Sequence, residues 1–374
     1  MFGWFSGSVD ESVEVLRDTS VDNADVLYAG TRDTTTRRNL VREFNDRDLN
    51  VTDISALDIE ERDGEIFIAG REASELEGKT VFYRQATFLS DINTREEKIE
   101  KQYLMYRLQE EYDINFYNSV RGAFNCWNKR RTKNILDEAY SQLENVRVAE
   151  SFDSLEQVNE ALERKEQEDH VAEKVVRKPE KGSLGRGIEF IDAGELGKDD
   201  FESAHHFYEE CIDHSAENVR EVRALDLGEG RENKVFVERD SDSGKLETKN
   251  IDQGAHYEKR DEVTEEEYRA IMAASRALDP LKEKGMEFGA LDYLIVEKEE
   301  GVEVVVMEYN STPGTKVSEF YEENIREEGD PGFYEMIADS VEESHYEFTG
   351  EYDQADGSVS MEDVEDQVAE AATV

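Results

Sequence analysis

Three oxygen-bearing side chains near the C-terminal end are spaced to share one cation. Gly289-Ala290-Leu291-Asp292 leads into Tyr293-Leu294-Ile295-Val296, an acidic turn follows, and Val304-Val305-Val306-Met307-Glu308-Tyr309-Asn310 runs into Ser311-Thr312-Pro313-Gly314. The pattern predicts a β-hairpin. Residues two apart on a strand share a face, so Glu308 and Asn310 point the same way, and an antiparallel partner ending at Asp292 adds a third ligand. Two carboxylates and an amide oxygen suit Mg²⁺, a hard cation that completes its octahedron with water and phosphate, and Mn²⁺ takes similar donors. In so acidic a chain this segment alone also reads as a surface hairpin with solvated acids.

A second constellation lies upstream. His170 to Pro179 has a strand pattern that ends in Lys178-Pro179, and Glu180-Lys181-Gly182-Ser183-Leu184-Gly185-Arg186-Gly187 follows before Ile188-Glu189-Phe190-Ile191 resumes as a strand. This is a hairpin with a glycine-rich tip. Glycines at 182, 185 and 187, with Ser183 between them, let backbone N–H groups approach a phosphate without Cβ clashes. No Gly-Lys-Ser/Thr follows, so it is not a P-loop, and the GxxGxG spacing before a strand does not match a dinucleotide-binding turn. Lys178, just ahead of the loop, can reach phosphate oxygens with its ammonium.

The elements that would position these groups are legible in outline. Val26-Leu27-Tyr28-Ala29 reads as a buried strand, residues 34–45 as a helix with Leu40, Val41 and Phe44 on one face, and residues 51–54 as a second strand. Segments 65–70 and 80–84 continue strand-like, giving an open α/β sheet over residues 24–92. Residues 95–112 predict a helix with Ile99, Tyr103, Tyr106 and Leu108 as its apolar stripe. Helices are predicted over 132–143, 154–167 and 264–277, the last opened by a Thr264/Glu267 capping box. Strands are predicted at 114–118, 208–212, 220–227 and 234–239. Residues 321–374 hold 18 acids against one Arg and read as an acidic tail whose final stretch is mobile.

Composition narrows the class. The formal net charge is -48 over 374 residues, with no basic cluster for nucleic acid and no affinity expected for anionic membranes. Dispersed acidity of this size fits a chain that works in high salt, where self-repulsion is screened. Sixteen Tyr and 17 Phe argue against global disorder. Cys126 and Cys211 form no CxxC, which suits a reduced intracellular compartment. The N-terminus lacks a signal-peptide pattern and no apolar run is membrane-length, so a cytoplasmic location is expected. His205-His206 and His214 have no zinc-ligand spacing and read as solvent or lid residues.

Lysine, glycine-rich hairpin and oxygen ligands, in that order, resemble the ATP-grasp superfamily, and most of all its branch of glutathione synthetases and ligases that add glutamate to ribosomal proteins. Residues 175–191 match the lysine-proline, glycine-rich lid hairpin, and residues 289–314 match the closing Gly-x-x-Asp … Glu-x-Asn-x-x-Pro-Gly signature. The resemblance covers about residues 24–320. It implies an α+β ATP-grasp fold: an N-terminal α/β domain (24–112) after a 1–23 extension, then two α+β subdomains (113–207 and 208–320) that clamp ATP, with the tail from 321.

The resemblance also implies roles. Lys129 would be the first phosphate-contacting lysine and Lys178 the second. Glu210, Cys211 and Ile212 would read adenine along the hinge strand. Glu221 would take the ribose hydroxyls, a longer arm than the family's Asp, while Arg223 faces the acceptor. Arg239 would lie near the transferred phosphate and Asn250 beside the nucleotide, with Ala255 replacing a family glycine. Lys129 also reads as one charge of a basic helix start with Arg130, Arg131 and Lys133, and Arg223 and Arg239 also read as paired surface arginines. Cys211 is expected to pack and not to react. The implied reaction is ATP- and Mg²⁺-dependent ligation of a carboxylate to an amine, with Arg32 and Arg84 as carboxylate holders. Rival readings are a non-catalytic ATP module and a modifier of a partner polypeptide. A homodimer is expected from the family.

Overall fold

The computed structural model describes residues 20–30, 35–165, 171–180, 187–202, 206–214, 216–240, 256–260, 262–282, 284–299, 301–313 and 316–350. The first strands are β1 (Val26–Ala29) and β2 (Val51–Ile54), joined by helix α1 (Thr35–Asp46). A three-stranded antiparallel sheet follows, made of β3 (Ile59–Arg62), β4 (Glu65–Ile68) and β5 (Arg71–Glu72). Then come β6 (Thr80–Tyr83), the short helix α2 (Gln85–Phe88), helix α3 (Arg95–Glu111) and β7 (Asn115–Tyr117). Strands β2-β1-β6-β7 form a parallel sheet. Residues 65–68, expected in that sheet, belong instead to the antiparallel one.

The parallel sheet is apolar on both sides, as parallel sheets are when both faces are covered. Val26, Tyr28, Phe82 and Tyr117 face α1 and the C-terminal helices. Leu27, Ala29, Val81, Tyr83 and Phe116 face the other way, among Leu104, Met105 and Leu108 of α3. The α3 stripe therefore differs from the expected one: Ile99, Tyr103 and Tyr106 are 55%, 58% and 40% exposed. Two apolar sets at helical spacing occur on this helix, and packing selects the other.

Helices α4 (Val120–Asn125) and α5 (Lys129–Tyr140) lead into β8 (Val146–Val148), β9 (Ser151–Phe152) and helix α6 (Leu155–Lys165). The chain continues through β10 (Val171–Pro179), β11 (Glu189–Asp192), β12 (His206–Ile212), β13 (Val219–Asp226), β14 (Lys234–Asp240) and β15 (His256–Lys259). Helix α7 (Glu265–Leu278) carries the Thr264/Glu267 capping box. Strands β16 (Gly289–Lys298) and β17 (Gly301–Asn310) are the expected hairpin, and helices α8 (Val317–Asn324) and α9 (Phe333–Thr349) follow.

Two further sheets result, one in the order β11-β10-β12-β9 and one in the order β15-β14-β13-β16-β17-β8. One face of the larger sheet packs Val222, Ala224, Leu291, Tyr293 and Val304 against Leu136 of α5 and Ala270, Ile271 and Ala274 of α7. Its opposite face carries the charged residues described below. Residues 321–349 do not lie outside the packed chain, as the acidic composition suggested: Phe333, Ile337 and Val341 of α9 are fully buried. Their helical spacing sets an apolar stripe beneath an acidic exterior. Residues 1–19 and 351–374 fall outside the described residues. No described helix is long and apolar enough to cross a membrane.

Candidate active site

The hairpin brings Asp292, Glu308 and Asn310 together, but by a device that alternation alone would miss. Val304, Val305 and Val306 pair with Ile295, Leu294 and Tyr293, and then the register shifts so that Glu308 faces Asp292 and Asn310 faces Ala290. Met307 is the extra residue of a β-bulge. In a regular ladder that kept Met307 paired, Glu308 would follow Val304 and Val306 into the core under α7. With the bulge, Tyr309 takes that core position and Glu308 and Asn310 turn onto the face of Asp292. Gly289 accommodates the turn, since a Cβ there would strike the Tyr309 ring.

Asp292 is 5% exposed and held by two arginines. Arg223, directly opposite on β13, donates from Nε and Nη2 to its two oxygens at 2.7 Å each. Arg239 on β14 donates to Oδ1 at 2.7 Å and, at 2.8 Å, to Oε1 of Glu221, its own cross-strand partner. Glu221 also meets His214 Nδ1 at 2.9 Å. Burial alone would raise the Glu221 pKa, but His214 and Arg239 bring it down to about 2. His214 is thus a buried partner of the site and not the solvent or lid residue expected.

Lys129 opens α5, whose N-cap Asn128 accepts from Arg131 N–H at 3.0 Å. Cations in a first helical turn oppose the helix dipole, so Lys129 needs a compensating partner. Its Nζ pairs with Glu308. Glu308 titrates well below the usual carboxylate range: burial pushes it up, and the Lys129 and Lys178 ammoniums and Asn310 outweigh that. The Asn310 amide donates to Glu308 at 3.1 Å and to Asp292 at 3.3 Å.

Lys178 lies near the end of β10 on the smaller sheet, 5% exposed, with its ammonium on Glu209 of β12. Lys133, one turn after Lys129, holds the other Glu209 oxygen at 2.7 Å. Glu210, the expected adenine-side acid, is buried. Its Oε1 accepts from the Glu150 backbone N–H at 2.8 Å and pairs with Arg147. Glu209 is the acid that shares the face of Lys178, and Lys133 and Glu209 were missed. Their only sequence signal is an i,i+4 lysine pair at the start of α5. Cys211 is buried with its thiol pushed up to about 12 by desolvation, and Ile212 packs beside Leu294 and Val305.

Gly187 takes a φ of +78°, which glycine adopts without strain. Gly182, Ser183, Gly185, Asn250, Ala255, Arg32 and His205 lie outside the described residues. Arg84 is buried, donating to the Tyr28 hydroxyl at 3.2 Å and the Pro313 carbonyl at 3.4 Å. The all-oxygen donor set of Asp292, Glu308 and Asn310 fits a hard divalent cation, provided the Asn310 amide turns its oxygen inward. Asp292 has about four lone-pair positions, of which the guanidiniums take three.

No family model matches this chain, and no curated protein does. Solved structures do. The ATP-grasp ligase PsnB, complexed with a minimal precursor, superimposes with a TM-score of 0.55 at 16% identity, covering 86% of this chain and 99% of that one. The macrocyclase MdnC bound with precursor peptide MdnA, from Microcystis aeruginosa MRC, gives 0.57 at 11% identity, with 85% and 99% covered. D-cycloserine synthetase DcsG gives 0.52 at 13% identity over 85% and 99%. The chain has the ATP-grasp fold, resembling its ligases.

Proposed function

We propose that this protein is an ATP- and Mg²⁺-dependent carboxylate–amine ligase. The observation that carries the reading is one contact chain gathered from five separated segments: Lys129 to Glu308, Glu308 through Asn310 to Asp292, and Asp292 to Arg223 and Arg239. Lys178 is close enough to depress the Glu308 pKa. In a chain of net charge -48, this is a local concentration of cations with oxygen donors between them.

In this reading Lys129 and Lys178 bind the triphosphate of substrate ATP, with Gly182, Ser183, Gly185 and Gly187 supplying backbone N–H groups. Cys211, Ile212 and the hinge strand take the base, and Glu221 and Asn250 take the rest of the nucleoside. Arg239 and Arg223 stabilise the transferring phosphoryl group and orient the acceptor carboxylate. The γ-phosphoryl passes to that carboxylate, the amine displaces phosphate from the acylphosphate, and ADP and phosphate leave. Mg²⁺, held by Asp292, Glu308 and Asn310, would neutralise phosphate charge.

A polypeptide substrate is the second reading, supported by PsnB and MdnC having been captured with precursor peptides. One screen tests both and the rival of a non-catalytic ATP module: ADP and phosphate release in multimolar KCl against small acids with amines, and against peptides. Release that depends on an acid and an amine supports ligation. ATP binding with no release under any pairing overturns it.

A further inference from the structure

Glu209 is 1% exposed, yet it faces two ammonium groups, Lys133 on Oε1 and Lys178 on Oε2, themselves 7% and 5% exposed. A single lysine would neutralise this carboxylate. The second adds a desolvation cost, and burial does lower the Lys133 pKa. Lys133 and Lys129 are four residues apart, so they share one face of α5. That face reaches Glu308 on the large sheet with one lysine and Glu209 on the small sheet with the other.

We propose that Lys133 is a positioning residue that keeps Glu209 compensated while Lys178 turns to a nucleotide phosphate. The proposal rests on the ATP-binding reading above. To donate to phosphate, Lys178 has to share or leave Glu209. Removing one partner of a buried ion pair strands the other charge, which is strongly unfavourable. With Lys133 on the second oxygen, Glu209 keeps a partner throughout, and Lys178 is released at little cost. The trio's net charge of +1 is then the charge that meets the phosphate.

The test is a double-mutant cycle on Mg·ATP affinity by titration calorimetry in multimolar KCl, using the full chain, with thermal melts of every variant. Lys133→Met should weaken Mg·ATP by about tenfold or more relative to wild type. In the Glu209→Gln background, where no buried anion remains to be stranded, the same Lys133→Met change should cost less than about threefold. A purely structural lysine would cost the same in both backgrounds, and that result overturns the proposal, as does a Lys133→Met protein that binds like wild type. If Lys133→Met alone fails to fold, comparing Lys133→Met/Glu209→Gln with Glu209→Gln decides: a double variant far weaker than Glu209→Gln refutes the idea. Wild type that does not bind Mg·ATP sinks the ligase reading itself. Loss of affinity in Lys178→Met but not in Lys133→Met sinks this inference alone.

Discussion

Asp292 and Glu308 stand opposite each other across the β16–β17 ladder because a register shift there absorbs Met307 as an extra residue. The bulge converts an ordinary hairpin into one that shows carboxylates on one face and Tyr309 on the other. Deleting Met307 should remove the extra residue and leave a regular ladder in which Glu308 still faces Asp292 and Tyr309 still enters the core beneath α7. Expected outcomes are retained ATP turnover and a cooperative thermal melt. A folded deletion variant without phosphate release would show that the site needs the bulge itself and not only the facing it leaves.

Glu308→Gln removes a proposed metal ligand and the partner of Lys129. ATP turnover should fall by roughly 10²–10³-fold, and the Mg²⁺ concentration for half-maximal activity should rise. A metal titration superimposable on that of wild type would argue against this ligand.

Glu221 yields a pH prediction. Its folded pKa, about 2, lies below the ordinary value of 4.5, so it contributes stability above pH 4.5. That contribution is lost as pH falls from about 4.5 toward 2, and is on the order of 3 kcal/mol at most. Glu221→Gln should therefore be less stable than wild type at pH 7, with the gap closing by pH 2–3. Denaturant midpoints across that range measure it, and a constant gap would contradict the assignment.

Helix α9 should be indispensable to the fold. Ile337→Ala, at a fully buried position, should cost about 2–5 kcal/mol. Truncation before Phe333 should yield insoluble or unfolded protein, whereas ending the chain after Gly350 should leave a cooperative melt. Calorimetry on the three forms separates these outcomes.

Salt should stabilise this protein. The Debye length shrinks from about 10 Å at 0.1 M to about 3 Å at 1 M, which screens self-repulsion. A melting temperature that rises with KCl is expected, and a falling one would contradict the charge argument.

Much of the site was legible because strand periodicity is short-range information. Glu308 and Asn310 share a face by spacing alone, and Lys178 stands beside its glycine-rich turn in the primary sequence. The bulge was not legible, since nothing in Val-Met-Glu-Tyr-Asn distinguishes a shifted register from a regular one. Glu209 and Glu210 are adjacent acids whose faces depend on how β12 pairs, so the choice between them waited on tertiary structure. On α3 the apolar residues form two candidate stripes, and only contact with the parallel sheet selects Leu104, Met105 and Leu108. For α9, acidity outweighed periodicity, although Phe333, Ile337 and Val341 recur at intervals of four.

The parallel sheet near the N-terminus shares its core with α9, the last described helix. During synthesis the strand holding Val26 and Tyr28 leaves the ribosome roughly 300 residues before the helix that completes its covering. The part of that surface which α9 covers beside α1 must wait through nearly the whole of translation. A dense negative coat that keeps nascent chains apart serves the protein before it has finished folding as well as after.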